Sequence, residues 1–410
     1  MSQASKILVA LVAGLLIGIG ASALHPDWAA AATLVTQPIG SAWLHGLQMV
    51  IVPLILGLLV TGVATATDAA RAGQVALRSV VTFIVILWSV TIMSALLMPV
   101  LLELFPLPEA WALAIRMSLT GAEPVGTVPS IASFFDSIVP QNVIAAASGD
   151  AFLPLTVFSL ALAFAVANLP GDQRERLTAL FEALTNATLI IIGWVLKLAP
   201  IGVFALAYGV GARTGASAFG ALIHYILIVS SIGFVVLLAA YPVGMAAGRV
   251  SLGRFARAAA PAQAVAISTQ SSLASLPAML AATAQLGAAP KVSGIVLPIA
   301  VAIFRATSPA MNLAVALYVA HLMNVPVGPA QLAAGVFTAA ITTMGSISLP
   351  GTVSFIASVA PVALAMGVPI EALGLLIAVE TIPDLFRTVG NVTMDIAVTV
   401  GVAARTPEAD

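Results

Sequence analysis

Charged residues are scarce in this sequence, and cysteine is missing altogether. Only 8% of the 410 residues are Asp, Glu, Lys or Arg, whereas 61% are apolar, and the mean hydropathy is +1.12. Such a chain has too few polar side chains to cover a water-exposed surface, so its solvent must be lipid. The lack of cysteine excludes disulfides and thiolate metal sites.

The few polar residues are also distributed in a way that excludes other classes of protein. Lysine and arginine form no run or stripe, so the chain offers nucleic acid no electrostatic footprint. The histidines are scattered, so we predict no zinc cluster, no other metal site and no cofactor. They are His25, His45, His224 and His321.

Long apolar runs predict an integral membrane protein. A helix needs ~20 apolar residues to cross ~30 Å of hydrocarbon, and several runs reach that length. Arginine and lysine lie on one side of the runs and an acidic stretch at 103–150 on the other, so the positive-inside rule predicts a cytoplasmic amino terminus. The first run follows Lys6 without a convincing cleavage site and is interpreted as a retained helix. The predicted spans are roughly 7–24, 39–66, 74–104, 151–169, 179–212 and 218–248.

An internal repeat follows these spans. Thr269-Gln-Ser-Ser-Leu-Ala-Ser-Leu-Pro277 resembles Thr342-Thr-Met-Gly-Ser-Ile-Ser-Leu-Pro350, and each lies within an apolar segment. Hydroxyl-rich segments that end in proline favour a turn over a continuous helix, so we interpret both as tips of re-entrant helical hairpins. Paired broken helices are typical of transporter binding sites. Small residues that merely permit close helix packing are the alternative explanation.

The last apolar segment carries one polar face. Relative to Asp384, its polar residues lie at −4, 0, +3, +4, +7 and +11, which is the spacing of one side of a helix. Ionisable groups at membrane depth cost at least ~2.5–3.5 kcal/mol each, so they must pair with one another or face a polar cavity. The residues are Glu380, Asp384, Arg387, Thr388, Asn391 and Asp395.

This face suits a substrate with two carboxylates and an ammonium group. Arg387 can bind one carboxylate through its planar guanidinium, Asp384 can hold the ammonium, and Thr388 and Asn391 can hydrogen-bond the remainder. The second carboxylate is left to the hairpin tips, where Ser271, Ser272 and Ser275 supply hydroxyls. A purely structural ion-pair network is the alternative.

These residues carry a resemblance to the glutamate transporter family, the dicarboxylate/amino acid:cation symporters. Asp384-Leu-Phe-Arg-Thr-Val-Gly-Asn-Val-Thr-Met-Asp395 resembles the family's D-x-x-R-T-x-x-N-V-x-G-D signature, with Met394 in place of the usual glycine. The segment Lys197-Leu-Ala-Pro-Ile-Gly-Val-Phe-Ala-Leu206 resembles its fifth-helix motif, and Ser271-Ser272 and Pro350-Gly351 match its two hairpin tips.

The resemblance implies an all-α polytopic fold with eight transmembrane helices, two re-entrant hairpins and inverted repeats. It also implies a homotrimer whose scaffold is fixed while a transport domain moves like an elevator. The implied division places scaffold helices 1 and 2 at 1–73, transport-domain helix 3 at 74–105, scaffold helices 4 and 5 at 106–212 and the rest of the transport domain at 213–410. The implied substrate is L-aspartate or L-glutamate, carried across a prokaryotic inner membrane, and the implied substrate site consists of Ser271, Ser272, Ser308, Gly351, Asp384, Arg387, Thr388 and Asn391.

One motif departs from the family pattern. Where sodium-coupled members carry Asn-Met-Asp-Gly in the seventh helix, this chain has Phe304-Arg305-Ala306-Thr307. Phe304 and Ala306 have no side-chain oxygen for a hard cation. The corresponding third-helix positions, Phe83, Ile86 and Leu87, are apolar as well.

Arg305 brings a permanent positive charge to this place, and a buried guanidinium needs an acceptor. We expect Asp395 to be its partner and Arg305 to act as a tethered cation in place of sodium. Transport would then be sodium-independent, with proton coupling through Glu380 or no coupling at all. Snorkelling of Arg305 to an interface is the alternative explanation.

Other functions remain open at this level. The runner-up is a proton- or sodium-coupled C4-dicarboxylate symporter, and an anion channel is a further possibility. Ser271 or Ser272 could be imagined as a nucleophile, but no histidine or lysine has the spacing of a partner, so we predict that the chain is not an enzyme.

Overall fold

The computed structural model describes residues 3–71, 73–118, 139–149, 151–214, 217–345 and 352–406. These residues form helices, turns and short connections, and none of them lies in a strand. The helices are α1 (Gln3–Leu24), α2 (Pro26–Gln48), α3 (Ile51–Arg71), α4 (Gln74–Leu104), α5 (Glu109–Ser118), α6 (Val143–Ser148), α7 (Phe152–Ala167), α8 (Gly171–Lys197), α9 (Ala199–Thr214), α10 (Ser217–Gly248), α11 (Leu252–Thr269), α12 (Leu276–Gln285), α13 (Pro290–Ile303), α14 (Ser308–Leu322), α15 (Pro329–Gly345), α16 (Thr352–Ala365), α17 (Leu373–Leu376) and α18 (Thr381–Ala403).

Six stretches of the described chain are long and apolar enough to cross a membrane. The expectation of an all-helical protein with several membrane-crossing helices is therefore confirmed for the described residues. The stretches are Lys6–Leu24, Pro26–Asp68, Gln74–Leu104, Gly171–Lys197, Phe219–Gly248 and Pro290–Leu322.

Two predicted spans are interrupted in the structure. The run at 39–66 is divided by a turn between Gln48 and Ile51, and the run at 179–212 is divided at Leu198. Prolines follow both breaks, Pro53 in the first turn of α3 and Pro200 in the first turn of α9. Proline is tolerated in a first turn but lacks the N–H that a continuous helix requires, so hydropathy alone could not show these breaks.

The first repeated motif joins two helices that pack against each other. Helix α11 ends at Thr269 and α12 begins at Leu276, so the intervening residues form the tip of a helical hairpin. Helices α15 and α16 also pack together, but the tip predicted between them, 346–351, lies outside the described residues. The middle of the acidic stretch, 119–138, lies outside them too.

Helix α18 lies at the centre of this half of the chain. It packs along α10 and also contacts α11, α12 and α13. Every residue from Arg387 to Val402 is buried. The polar face of α18 is therefore enclosed by other helices.

Candidate functional site

Arg387 is held by acidic and amide groups inside the helix bundle. Its Nη2 donates to Oε1 of Glu380 at 2.6 Å, its Nη1 donates to Oδ1 of Asn312 at 2.5 Å, and its Nε lies 3.3 Å from Oδ1 of Asp384. The Arg387 side chain is only 4% exposed. Glu380, the residue that precedes α18, also accepts a hydrogen bond from the hydroxyl of Tyr225 at 2.6 Å. The positive charge of Arg387 is thus offset inside the protein.

The guanidinium nevertheless retains donor capacity. It carries five N–H groups, and the described hydrogen bonds use two of them. Nε, although near Asp384, forms no hydrogen bond, and Nδ2 of the adjacent Asn312 is also buried without a partner in the described structure. A buried donor without a hydrogen-bond partner destabilises the protein by about 1–3 kcal/mol, so a ligand that brings hydrogen-bond acceptors would stabilise this cluster.

The chain is broken beside this cluster. Helix α13 ends at Ile303 and α14 begins at Ser308, and Arg305 between them has a φ of 27°. Oδ1 of Asn391 accepts a hydrogen bond from the backbone N–H of Thr307 at 2.7 Å, so Asn391 on α18 stabilises the start of α14. The sequence had suggested that Asn391 hydrogen-bonds substrate, whereas here its carbonyl oxygen is engaged by the backbone.

A glycine on α18 permits this close approach. A Cβ added to Gly390 would collide with Oγ1 of Thr307. The broken segment and the polar face of α18 are therefore in direct contact.

Several polar atoms at the break and on α18 are buried without a described hydrogen-bond partner. Oδ1 of Asp395 is one, and Oγ1 of Thr307 and Oγ of Ser308 are two more. Asp395 itself is 1% exposed. Ser308 and Asp395, both predicted site residues, therefore lie buried, but no described contact joins either of them to Arg387.

Arg305 is buried, but its described electrostatic neighbours differ from the expectation. Asp384 attracts its charge and Arg387 repels it. The expected pair with Asp395 is not among the described contacts. Burial at the helix break also does not support the alternative in which Arg305 snorkels to an interface. Asp384 therefore acts on the charge of Arg305 and also lies 3.3 Å from Nε of Arg387.

Apolar side chains occupy the positions that the sequence resemblance aligns with sodium ligands, and two of them, Phe83 and Phe304, are aromatic. Phe304 and Phe83 are fully buried and stacked, with ring centroids 4.3 Å apart and an interplanar angle of 19°. Ala306 and Leu87 are fully buried as well. These four apolar side chains have no oxygen atom to offer to a cation.

The first hairpin tip reaches the beginning of α18. Nε2 of Gln270 donates to the carbonyl of Thr381 at 3.3 Å, and Gln270 has a left-handed backbone with a φ of 50°. Ser272 is buried, whereas Oγ of Ser271 accepts a hydrogen bond from the N–H of Ala274 within the tip. The tip is therefore fixed close to Glu380, the first polar residue of the face.

The remaining predicted residues and the missed ones complete the site. Thr388 is buried on the same helix face as Arg387, and Gly351 lies outside the described residues. Sequence reasoning missed Asn312 and Tyr225. Asn312 could have been found, because it is a lone amide in an apolar segment, but nothing near Tyr225 in sequence indicates that it contacts Glu380.

A multi-pass helical protein with a buried arginine–carboxylate cluster beside a broken helix has the features of a membrane transporter. Comparison with known proteins agrees, because the family described as "Sodium:dicarboxylate symporter family" matches residues 4–405. The chain belongs to this family.

Three relatives show the range of activities among similar proteins. The chain is 27% identical to the proton/glutamate-aspartate symporter of Escherichia coli, and the match covers 95% of this chain and 90% of that protein. It is 26% identical to the proton/sodium-glutamate symport protein of Bacillus subtilis, with 95% and 89% covered. It is 25% identical to the C4-dicarboxylate transport protein of Deinococcus radiodurans, with 97% and 88% covered.

Proposed function

We propose that this protein carries aspartate or glutamate across the inner membrane of a prokaryote. The observation that carries the proposal is the ion pair of the buried Arg387 and the partly buried Asp384, whose charged atoms lie 3.3 Å apart on one helix face. A guanidinium and a carboxylate at this separation complement the side-chain carboxylate and the ammonium of an acidic amino acid.

Substrate binding requires an exchange of partners at Arg387. Glu380 holds the guanidinium in the described structure, and a substrate carboxylate would replace it. Glu380 would then keep the hydrogen bond from Tyr225, which limits the cost of releasing it. The pairing with Glu380 allows the carrier to enclose Arg387 when no substrate is bound.

Transport of a C4-dicarboxylate without an ammonium group is the alternative. Relatives of both kinds are similar to this chain. Asp384 favours the amino acid, because a substrate that carries only negative charge would bring its carboxylates next to a buried carboxylate and repel it. We expect unlabelled aspartate to compete for uptake of labelled aspartate far better than succinate does. Equal competition would favour the alternative.

We further propose that transport is independent of sodium. The support is the stacked pair of Phe83 and Phe304 at the positions of sodium ligands, together with the buried charge of Arg305 beside the substrate-binding face. The guanidinium of Arg305 supplies the positive charge that a bound sodium ion supplies in sodium-coupled members of the family. Asp384 takes the role of its counter-charge, which the sequence had assigned to Asp395.

Uptake into proteoliposomes tests this proposal. Labelled aspartate should enter at the same rate with and without a sodium gradient, and a proton gradient applied separately tests coupling through Glu380. Arg305→Met should weaken aspartate binding, whereas Arg257→Met, on the exposed side of α11, should not. Strict dependence on sodium, or unchanged affinity in Arg305→Met, would remove the role of a tethered cation.

The proposal extends to the mechanism that the family implies. We propose a homotrimer with eight membrane crossings, a cytoplasmic amino terminus and an elevator movement of residues 74–105 and 213–410. Because the chain has no cysteine, a single Leu273→Cys at the exposed hairpin tip can be labelled cleanly. Saturating aspartate should change its labelling rate by impermeant reagents from at least one side. A rate independent of substrate from both sides would contradict this mechanism.

A further inference from the structure

A cavity of about 420 Å³ lies away from the Arg387 cluster, where the ends of several helices meet. Val75 near the start of α4, Lys291 at the start of α13 and Thr406 after the end of α18 line it, together with Gly248 and the connection 286–289. Its volume lies within the ~300–1,000 Å³ range of small-molecule sites. Its position at helix ends places it at the level where membrane meets water.

The surroundings of this cavity are basic. Arg78 donates through Nη1 to the carbonyl of Arg405 at 3.0 Å, and Arg254 donates through Nη2 to the carbonyl of Gln285 at 2.9 Å, so both guanidinium groups are fixed near its edge. The sequence from 249 to 303 contains no acidic residue, and three of its basic residues lie at or directly beside the lining: Arg249, Arg254 and Lys291. The helix ends at this cavity therefore present positive charge without described carboxylates among the lining residues.

The lining combines one ammonium group with apolar walls. Lys291 stands in the first turn of α13, where the helix dipole also favours an anion, while Val292, Ile295 and Val400 provide apolar surface. The end of α18 has the opposite dipole, but Arg78 already binds one of the carbonyls there. A small inorganic anion would pair with the ammonium group but would not cover the apolar wall. An anionic amphiphile would pair with the ammonium group and also bury the apolar wall.

We propose that this cavity binds an anionic phospholipid, with the phosphate at Lys291 and the glycerol and acyl region against Ile295 and Val400. The site is separate from the substrate-binding cluster and does not depend on the proposed transport activity. Lipid bound there would contact the ends of α4, α13 and α18, so the stability of their packing would depend on the lipid composition at the basic side of the membrane.

Thermal stabilisation by added lipid tests this site in the full-length protein in detergent. Phosphatidylglycerol should raise the Tm of the wild type more than phosphatidylcholine does, and Lys291→Gln should require about fivefold more phosphatidylglycerol for half of the effect. Ile295→Trp should reduce the stabilisation by filling the cavity without changing its charge. Arg257→Gln is the matched control, because Arg257 bonds the Gly253 carbonyl of its own helix and does not line the cavity.

Three results would overturn the proposal. The first is equal stabilisation of the wild type by phosphatidylglycerol and phosphatidylcholine, and the second is an unchanged phosphatidylglycerol response in both Lys291→Gln and Ile295→Trp. The third is full replacement of the lipid effect by inorganic phosphate, which would identify a small-anion site. Retention of labelled phosphatidylglycerol, measured by native mass spectrometry, gives an independent readout if either variant alters the starting Tm.

Discussion

In the proposed transport cycle, we expect Glu380→Gln to have opposite effects on two steps: it should tighten substrate binding and slow the return of the empty carrier. In the described structure the Glu380 carboxylate competes for the same guanidinium that substrate would bind, with Oε1 2.6 Å from Nη2 of Arg387. Glutamine keeps the size of the side chain and removes its charge. Asp384 and Asn312 remain near Arg387, so the guanidinium keeps partial compensation.

The magnitude follows from the interaction that is lost. A hydrogen bond to a charged group contributes about 1.5–3 kcal/mol, and glutamine can still accept from Nη2 without the carboxylate charge, so aspartate binding should tighten by up to about 150-fold. The empty protein should lose stability, because breaking a buried ion pair typically costs about 3–5 kcal/mol, an amount that Asp384 reduces here. In the proposed mechanism the empty carrier would have to move with a poorly compensated Arg387, so exchange of aspartate should persist while net uptake falls.

Two measurements on one preparation test these expectations. Equilibrium binding of labelled aspartate in detergent gives the affinity, and proteoliposomes loaded with or without aspartate distinguish exchange from net uptake. Glu182→Gln, the same substitution at an exposed position of α8, should leave all three quantities unchanged. The reasoning is refuted if folded Glu380→Gln binds aspartate no more tightly than the wild type, or if exchange and net uptake fall equally.

Two further predictions concern the surroundings of Arg387. Asn312→Leu removes the acceptor of Nη1 and leaves a buried charged donor without that partner, so it should lower the Tm of the detergent-solubilised protein at a cost of about 1–3 kcal/mol. An unchanged Tm would show that Asn312 does not hold Arg387. Gly390→Ala should lower the Tm of the detergent-solubilised protein by overpacking against Thr307, at a cost of about 1–3 kcal/mol. Gly294→Ala, which meets no atom within 4 Å, should be neutral or stabilising by about 0.5–1 kcal/mol; equal losses in the two variants would refute the packing argument.

Much of the site could be predicted because its residues lie on one helix. The spacing of Glu380, Asp384 and Arg387 places Asp384 and Arg387 on one face of α18 with Glu380 just before it, and the cost of charge in lipid requires that this face be enclosed. The hydroxyl-rich tip at 269–277 could be predicted for a similar reason, because its proline and short polar residues act locally on the backbone. In both cases the signal and the structure involve neighbouring residues in sequence.

The partners of Arg387 could not be predicted in the same way. Asn312 and Tyr225 come from α14 and α10, and no spacing rule connects them to α18. The surroundings of Arg305 show the same limit. Arg305 lies in the break between α13 and α14, and Asp384 of α18 is a described acidic group that acts on its charge, whereas the pair with Asp395 stays a prediction.

The sequence by itself determined that the chain lies in lipid, that it is helical and that residues 380–395 carry a polar face. Hydropathy, helical period and the cost of buried charge are properties of short segments, so they can be read without the tertiary structure. It also determined that oxygen ligands are missing at Phe83 and Phe304. Only the tertiary structure decided that these two rings stack and that Arg387 is held by Glu380, Asp384 and Asn312. Contacts between helices depend on how the whole chain packs, so they emerge only when distant segments are brought together.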